Sequence, residues 1–399
     1  MQVVSRLLVA GGAALALALP SAAATESSAP EAAFERRSYA PGELARLVVW
    51  RGRPTRVRIY RVGAARGRQA LAGEPATDDL AVHGTRIGIR VGAWPSGLYD
   101  ARLSGASGVG HATFVVRPRR LGSHRIAVVL PTNTWQAYNR RDVDRDGVGD
   151  TWYESPAVTS VDLTRPFLDA GVPPYFRGYD RGFLRWLALT GKEVDVLADD
   201  DLERVRDGAH LVRLYDLVVF PGHEEYVTTH AYDVIRRYRD LGGNLAFLSA
   251  NNVFYRVERR GSWLVRTGRW RDLGRPEAAL TGAGYVGWSE GRYPNTRYVV
   301  TGAHHVPWLF RGSGLRNGDA FGVYGIEIDA RSSSSPPGTR VLARIAGAFG
   351  PGRSAEMTYY TTPRGAKVFS AGVLNFGGSA LWPTVSLLLE NLWAELSRP

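Results

Sequence analysis

The chain has 399 residues, 44% hydrophobic and 22% charged, which is an ordinary globular composition and enough length for two domains. Cysteine is absent, so disulfides, zinc–thiolate sites and thiol nucleophiles are excluded. The formal net charge of +12 comes almost entirely from arginine. Because these arginines are scattered along the chain rather than clustered, we expect no nucleic-acid partner.

The first 24 residues have the pattern of a secretory signal peptide. Arg6 is followed by an apolar run over 7–20 and then by small residues that end at Ala24. The run is short for a membrane span, although an uncleaved anchor is the alternative. We therefore predict cleavage near Ala24, a secreted or cell-envelope location, and no membrane span in the mature chain.

Residues 25–36 are rich in Ser, Ala, Pro and Glu and are predicted to form a flexible lead-in. Residues 37–118 contain short segments in which polar and apolar residues alternate, separated by Gly, Pro and Ser. This pattern indicates an antiparallel β-sandwich, which we interpret as an accessory immunoglobulin-like domain. We assign no catalytic group to it.

From residue 119 to residue 399, short apolar strands alternate with segments of helical period. The strands are predicted at 125–130, 193–197, 217–220 and 244–248, and the helices at 182–190, 200–206 and 231–240. Such alternation predicts an α/β domain with a mostly parallel sheet flanked by helices. Further strands are expected near 341–345, 356–361 and 367–371, before an amphipathic helix over 381–396.

The predicted strand at 217–220 is followed by Pro221-Gly222 and then by His223, Glu224 and Glu225. In an open α/β sheet, ligands bind at the carboxyl ends of the strands. A histidine and two carboxylates at that position therefore indicate a functional site. Other candidate groups near predicted strand or helix ends are Tyr138, Tyr175, Tyr179 and Glu356.

The segment from Asp142 to Asp150 has aspartates at alternate positions and a glycine, which is the spacing of a calcium-binding loop. The predicted calcium ligands are Asp142, Asp144, Asp146 and Asp150. Where such a loop carries its last glutamate, this chain has Tyr153, and Glu154 follows directly. An exposed acidic turn is the alternative interpretation. A bound calcium ion would brace the loop that carries Tyr138.

Several collinear segments resemble the C-terminal domain of the N,N-dimethylformamidase large (beta) subunit family. They are Asn133–Asn139, Phe183–Leu187, Phe220–Val227, Leu245–Asn251, Trp308–Leu315, Gly325–Asp329 and Ala355–Tyr360. The resemblance spans about residues 123–376 and does not include the sandwich. The sheet is also similar to class I glutamine-amidotransferase-like folds, in which a cysteine usually follows one strand. Here Ser249–Asn251 stands at that turn, so a thiol mechanism is excluded.

The resemblance implies a mononuclear ferric iron held by two tyrosinates and one glutamate. On this chain the implied ligands are Tyr138, Tyr179 and Glu225, and Tyr175 competes with Tyr179 for its role. Hard oxygen donors of this kind suit a hard cation.

The family pattern also implies an assisting histidine and carboxylate, which correspond to His223 and Glu356. Glu224 is then expected to be a solvent-facing bystander. Four residues are expected to line the substrate cleft: Asn133, Asn251, Tyr255 and Arg256. His304 and His305 lie in a similar segment without a ligand role that we can assign.

These assignments predict an exported, iron-dependent hydrolase that cleaves a C–N amide bond, with the metal activating both water and the substrate carbonyl. The substrate would be a small amide or an amide-bearing molecule. A homo-oligomer or a small partner subunit would be compatible with the sequence. Two other classes stay open: a non-catalytic module that binds cell-envelope polymers or carbohydrate, and an enzyme acting on a sugar derivative.

Overall fold

The computed structural model describes residues 29–63, 65, 67, 69–292 and 296–398. The predicted signal peptide over 1–24 lies outside the described residues. Within the described part of the chain, no helix has both the length and the apolar character needed to cross a membrane.

The N-terminal part of the chain forms two β-sheets that share one apolar core. Its strands are β1 (Glu31–Phe34), β2 (Ser38–Tyr39), β3 (Leu44–Arg51), β4 (Arg56–Val62), β5 (Gly73–Pro75), β6 (Leu80–Ala81), β7 (Arg86–Arg90), β8 (Gly97–Gly105) and β9 (Gly108–Val116). Strands β1, β3 and β7 form one sheet, and β2, β9, β8, β4 and β5 form the other, with β6 paired to β4. The first strand begins at Glu31, within the segment assigned above to a lead-in.

Alternation along these strands explains the core. In β7, Ile87 and Ile89 are buried while their neighbours are exposed, because successive side chains of a strand point to opposite faces. The sandwich also packs onto the rest of the chain, since Val62 and Leu98 lie in the same apolar cluster as Val128 and Val196. The two regions of the molecule are therefore joined by a continuous core.

The remainder of the chain contains all the helices of the described residues and a large sheet. The first half comprises β10 (Ile126–Leu130), α1 (Thr132–Ala137), β11 (Ser160–Asp162), α2 (Phe176–Tyr179), α3 (Arg181–Leu189), β12 (Asp195–Ala198), α4 (Asp199–Leu202), α5 (Gly208–Leu214), β13 (Leu217–Phe220), β14 (Tyr226–Thr228), α6 (Thr229–Asp240) and β15 (Asn244–Phe247). The second half comprises β16 (Tyr255–Arg260), β17 (Trp263–Arg269), α7 (Ala278–Thr281), β18 (Gly284–Trp288), β19 (Thr296–Val300), β20 (Ala320–Tyr324), β21 (Glu327–Ala330), β22 (Arg340–Ile345), β23 (Ala355–Thr361), β24 (Lys367–Ser370) and α8 (Pro383–Leu396). Two short 3₁₀ helices cover Trp270–Leu273 and Gly377–Ser379.

The large sheet has nine strands in the order β12-β10-β13-β15-β24-β23-β22-β19-β20. The four pairings from β12 to β24 are parallel, and the four from β24 to β20 are antiparallel. Strands β18 and β21 form a separate antiparallel pair. The prediction of a mostly parallel, helix-flanked α/β sheet, similar to class I glutamine-amidotransferase folds, is therefore wrong.

The error has a physical cause in the C-terminal strands. The short connection from Thr361 to Lys367 leaves no room for a crossover helix, so β23 and β24 can pair only as antiparallel neighbours. The strands themselves are predicted at nearly the observed positions, but their direction depends on these connections. The structure is consequently a mixed sheet accompanied by several antiparallel ones.

A four-stranded sheet, β11-β17-β16-β14, lies beside the end of β13. Strand β14 starts at Tyr226, directly after the segment His223–Glu225, and pairs parallel with β16 so that Tyr226 stands opposite Tyr255. The segment from Phe220 to Tyr226 therefore leaves the nine-stranded sheet and enters the smaller one. Its side chains are enclosed between the two sheets.

Candidate metal centre

The loop after β13 carries its ionisable side chains into the interior. His223, Glu224 and Glu225 are 4%, 2% and 2% exposed. Gly222 permits this path, because a Cβ at that position would lie 2.0 Å from Oδ1 of the buried Asp180. Apolar strand β13 is buried on both faces, and the polar groups begin where it ends.

The Glu225 carboxylate has three side-chain hydrogen-bond partners. Tyr153 donates its hydroxyl to Oε2 at 3.0 Å, Asn251 donates Nδ2 to Oε1 at 3.2 Å, and the Tyr138 hydroxyl is a further hydrogen-bond partner. Burial raises the pKa of Glu225 to about 7, although these hydrogen bonds oppose the rise. Burial thus disfavours the ionised form of this carboxylate, and its hydrogen bonds partly restore it.

Two tyrosines meet on one side of Glu225. The rings of Tyr138 and Tyr153 stack with centroids 4.4 Å apart, and the Tyr153 hydroxyl lies 2.5 Å from that of Tyr226. Burial, followed by the charge of Glu225, raises the pKa of both Tyr138 and Tyr153 well above the usual tyrosine range. Tyr153 is 37% exposed, so its ring reaches the surface while its hydroxyl points inward.

The two tyrosines are held together by the ends of the acidic loop between them. Tyr138 is the C-cap of α1, whose residues are all buried. Buried Arg165 donates to the carbonyl oxygens of Gln136 at 2.9 Å and Asp150 at 2.7 Å, and Thr151 donates to that of Ala137 at 2.7 Å. These hydrogen bonds fix the start and the end of the loop side by side.

His223 and Glu327 complete the cluster, and Glu327 also hydrogen-bonds Asn251. Nε2 of His223 lies 3.5 Å from Oε2 of Glu225 and 3.6 Å from Oε2 of Glu327, and both Nε2 and the Glu327 oxygen lack a partner among the described residues. These distances are too long for hydrogen bonds. Burial lowers the pKa of His223 to about 3, and burial with the charge of Glu225 raises that of Glu327 to about 8. Both groups are therefore mainly uncharged at pH 7.

The cluster brings together several of the predicted residues. Tyr138, His223, Glu225 and Asn251 share it. Tyr255 stacks on Tyr226 at 5.3 Å and Asn133 donates Nδ2 to the Tyr226 carbonyl at 3.2 Å, so both border it. Arg256 donates Nε to Oγ1 of Thr267 at 2.8 Å within the β16–β17 hairpin.

Other predicted residues lie at the border of the cluster or outside it. Tyr179 stacks on Tyr175 at 5.4 Å, and Tyr175, 52% exposed, meets Tyr138 edge-on at 5.6 Å. The Glu356 carboxylate accepts the Arg331 backbone N–H at 3.0 Å and lies 3.4 Å from Nε of Arg344. It is Glu327, not Glu356, that the fold brings to His223.

Glu224 differs from its expected role. The expectation that it faces solvent is wrong, since it is 2% exposed and hydrogen-bonds Asp199, a second buried carboxyl group. Burial and the nearby Asp199 raise the pKa of Glu224 well above its usual range. The hydrogen bond between these two buried carboxyl groups anchors the loop at Glu224.

The two residues that sequence reasoning missed are Tyr153 and Glu327. Glu327 lies in Gly325–Asp329, a segment already included in the family resemblance, so that segment was an available signal. Tyr153 follows the acidic loop at its twelfth position, where a ligand is expected, but no apolar strand precedes it. Its partnership with Tyr138 depends on loop closure by Arg165.

The predicted calcium ligands gather at the surface. One oxygen from each of Asp142, Asp144 and Asp146 can be chosen so that all lie within 4.8 Å of one another. The loop's own backbone N–H groups bond these carboxylates: Gly147 donates to Asp142 at 2.9 Å and Val148 to Asp146 at 2.8 Å. Asp150 accepts the N–H of Val143 at 2.8 Å.

Comparison with known proteins identifies the family. The family described as "N,N-dimethylformamidase beta subunit-like, C-terminal" matches residues 35–381, which include the cluster and all strands of the sandwich except β1. The chain belongs to this family. The matched range is longer than the resemblance in the sequence suggested, because it starts within the N-terminal sheets.

Two curated relatives of the dimethylformamidase family were found. The N,N-dimethylformamidase beta subunit of Alcaligenes sp. is 24% identical over 264 residues, and that of Paracoccus aminophilus is 23% identical over 264 residues. Each alignment covers 51% of this chain and 34% of the relative, so the chain spans about a third of the relatives' length. Among solved structures, a cycloisomaltooligosaccharide glucanotransferase of Paenibacillus sp. shares 13% identity over 43% of this chain and 27% of that chain, with a TM-score of 0.16. A likeness this low says nothing about the fold.

Proposed function

We propose that this chain hydrolyses a C–N amide bond at a ferric centre held by Tyr138, Tyr153 and Glu225. The observation that carries the proposal is the convergence of two phenol hydroxyls on one buried carboxylate, beside two polar atoms without a hydrogen-bond partner among the described residues. Membership of the N,N-dimethylformamidase beta subunit-like family supports the reaction class.

The donor set fits a hard cation. Carboxylate and phenolate oxygens are the ligands that such ions prefer. Burial opposes ionisation of Tyr138, Tyr153 and Glu225, so only a strongly charged ion at this point would hold all three deprotonated. The unpartnered atoms Nε2 of His223 and Oε2 of Glu327 are costly to bury alone, and a ligand in the common space would relieve that cost.

A bound ferric ion would supply Lewis acidity toward the amide carbonyl and would acidify a water molecule. The side chains supply the proton transfers. Nε2 of neutral His223 has no partner among the described residues, and in the tautomer with the proton on Nδ1 it can take a proton from the attacking water and return it to the nitrogen of the leaving amine. Asn251 holds Glu225 in place, and protonated Glu327 can donate a hydrogen bond to an oxygen near His223.

The proposed ligand set differs from the sequence prediction in one position. Tyr153 replaces Tyr179 because its hydroxyl is in direct contact with the Glu225 carboxylate. In the same way Glu327 takes the assisting role assigned to Glu356, since it is the carboxylate beside His223.

The experiment is metal analysis of purified protein with visible spectroscopy, followed by a screen of small amides for amine release. We expect about one iron per chain and a tyrosinate-to-iron absorption band that Tyr138→Phe weakens or abolishes. Protein that takes up no iron when supplied with ferric or ferrous salt, and shows no band, would refute the iron centre. Iron without amide hydrolysis would instead favour a non-catalytic binding module.

Export and a companion chain belong to the same proposal. The N-terminal pattern over 1–24 supports export, and the names of both relatives as beta subunits support a second type of subunit. The substrate is proposed to be an amide small enough to reach the hydroxyl of Tyr153 from the surface.

A further inference from the structure

Arg266 lies on β17 of the β16–β17 hairpin. Among the described residues, it has no acidic partner. Neither a hydrogen bond nor an ion pair to its guanidinium occurs among the described residues, and the side chain is only partly buried. The other arginines of this hairpin and its end all have oxygen partners: Arg256 with Thr267 and Glu258, Arg259 with Asp200, Arg260 with Glu258, and Arg269 with Asp272.

Aromatic rings hold this guanidinium in place. Cζ of Arg266 lies 4.9 Å from the ring centroid of Tyr255 and 5.3 Å from that of Trp152. Both rings pack against Tyr226, at 5.3 Å and 4.9 Å. Cation–π contacts of this kind fix the plane of an arginine while leaving its N–H donors free.

The fixed guanidinium lies next to the candidate centre. Both rings that hold it pack against Tyr226, whose hydroxyl lies 2.5 Å from that of Tyr153. Arg266 also lowers the pKa of Glu225, which places its charge within electrostatic reach of that carboxylate. Five preorganised donors, a positive charge and a nearby reactive centre match the geometry of a planar, bidentate anion.

We propose that the amide substrate carries a carboxylate, and that Arg266 binds this carboxylate while the amide carbonyl occupies the Tyr138–Tyr153–Glu225 centre. This inference rests on the proposed function for the reaction, but its binding step can be measured without turnover. The net charge of +12 would favour the approach of such an anion.

The test uses two amides of equal shape on the whole, iron-loaded protein. N,N-dimethylsuccinamate carries a terminal carboxylate, and N,N-dimethyl-4-methylpentanamide carries an isopropyl group in its place. Release of dimethylamine gives kcat/KM for each, and calorimetry gives the affinity for each. The variants are Arg266→Gln, Arg266→Lys and, as a matched control, Arg260→Gln, which removes an exposed charge from the same hairpin.

We expect the wild-type protein to prefer the carboxylate-bearing amide by roughly 10-fold or more, the usual contribution of a charge-assisted hydrogen bond. Arg266→Gln should abolish that preference by weakening only the charged compound, Arg266→Lys should retain part of it, and Arg260→Gln should leave it unchanged. Iron content should be the same in all four proteins.

Several outcomes would overturn the inference. Equal affinity of wild-type protein for the two amides would do so, and so would an Arg266→Gln variant that weakens both compounds equally or loses iron, since either indicates support of the centre. If neither amide is hydrolysed while the charged one still binds through Arg266, the anion site stands and the proposed hydrolysis fails.

Discussion

The described part of the chain offers two regions that could hold a metal ion, and they differ in how their oxygen atoms are hydrogen-bonded. The loop Asp142–Asp150 is exposed and local in sequence, and its carboxylates already accept N–H groups of the same loop. The centre around Glu225 is buried and assembled from distant segments, and it leaves nitrogen and oxygen atoms of His223 and Glu327 without partners. Buried unpartnered polar atoms cost free energy, whereas exposed ones do not. A bound ligand would therefore lower the free energy of the centre more than that of the loop.

The largest expected effect is the loss of iron when a ligand of the centre is removed. Glu225→Gln and Tyr153→Phe should each lower iron affinity by more than about 100-fold, beyond what changes to supporting residues cause. Iron analysis and the visible band measure this. Glu224→Gln and Tyr179→Phe are the matched controls and should retain iron. Loss of iron in Tyr179→Phe but not in Tyr153→Phe would restore the ligand set predicted from the sequence.

His223→Asn should separate chemistry from metal binding. Because Nε2 is proposed to carry a proton and not to hold the ion, we expect kcat to fall by roughly 100- to 10,000-fold with iron content unchanged. Steady-state kinetics on the best amide from the screen, with iron analysis of the same sample, provides the measurement. Loss of iron in this variant would show that His223 is a ligand.

Stability should depend on pH through Asp180, which packs beneath Gly222. Burial raises its pKa to about 7, against 3.8 ordinarily, so the folded protein keeps a proton that the unfolded chain releases. Protonated Asp180 contributes fully to the free energy of unfolding below about pH 4. This contribution, as much as about 4 kcal/mol, is lost as the pH rises to about 7. Asp180→Asn should keep the hydrogen bond from Trp135 and remove this slope. Denaturant unfolding between pH 4 and 8 would show it, and equal slopes in both proteins would contradict the assignment.

The smallest effect is expected at the acidic loop. Calcium at millimolar concentration should raise Tm by about 1 to 4 °C in the wild-type protein and not in Asp144→Asn, because a surface site adds only its binding free energy. Asp79→Asn, in the sandwich, is the control. Isothermal titration with calcium that shows no heat of binding would identify the loop as an acidic turn. Iron content should be unaffected in every case.

The elements of the fold that local sequence determines could be predicted, and those that depend on distant contacts could not. Apolar runs locate β10, β12, β13 and β15, and their parallel order follows from the helices between them. The antiparallel pairing of β23 with β24 follows from their short connection, whereas the partners of β19, β20 and β22 depend on contacts between segments that are far apart in the sequence. The hairpin β16–β17 escaped detection because its alternating positions are filled largely by charged residues rather than by apolar ones.

The candidate site shows the same limit. His223, Glu225 and Tyr138 follow strand ends, so position alone indicated them. Glu327 and Glu356 have similar positions in the sequence, each in a late strand. Only the fold shows that Glu327 lies beside His223 and that Glu356 lies beside Arg344. Tyr153 owes its place to Arg165, whose hydrogen bonds to both ends of the loop leave no mark in the sequence pattern.

The separation of the donors along the chain has a consequence for folding. Tyr138 and Glu225 come from distant segments of the larger region, and their meeting requires the closure of a long loop, which makes such contacts late and slow. The iron-coloured state should consequently be the last to appear during refolding with iron present. Because the ion would bind only the fully assembled chain, it would add its binding free energy to global stability and none to partly folded forms. The visible absorption band of the centre would then report when folding is complete.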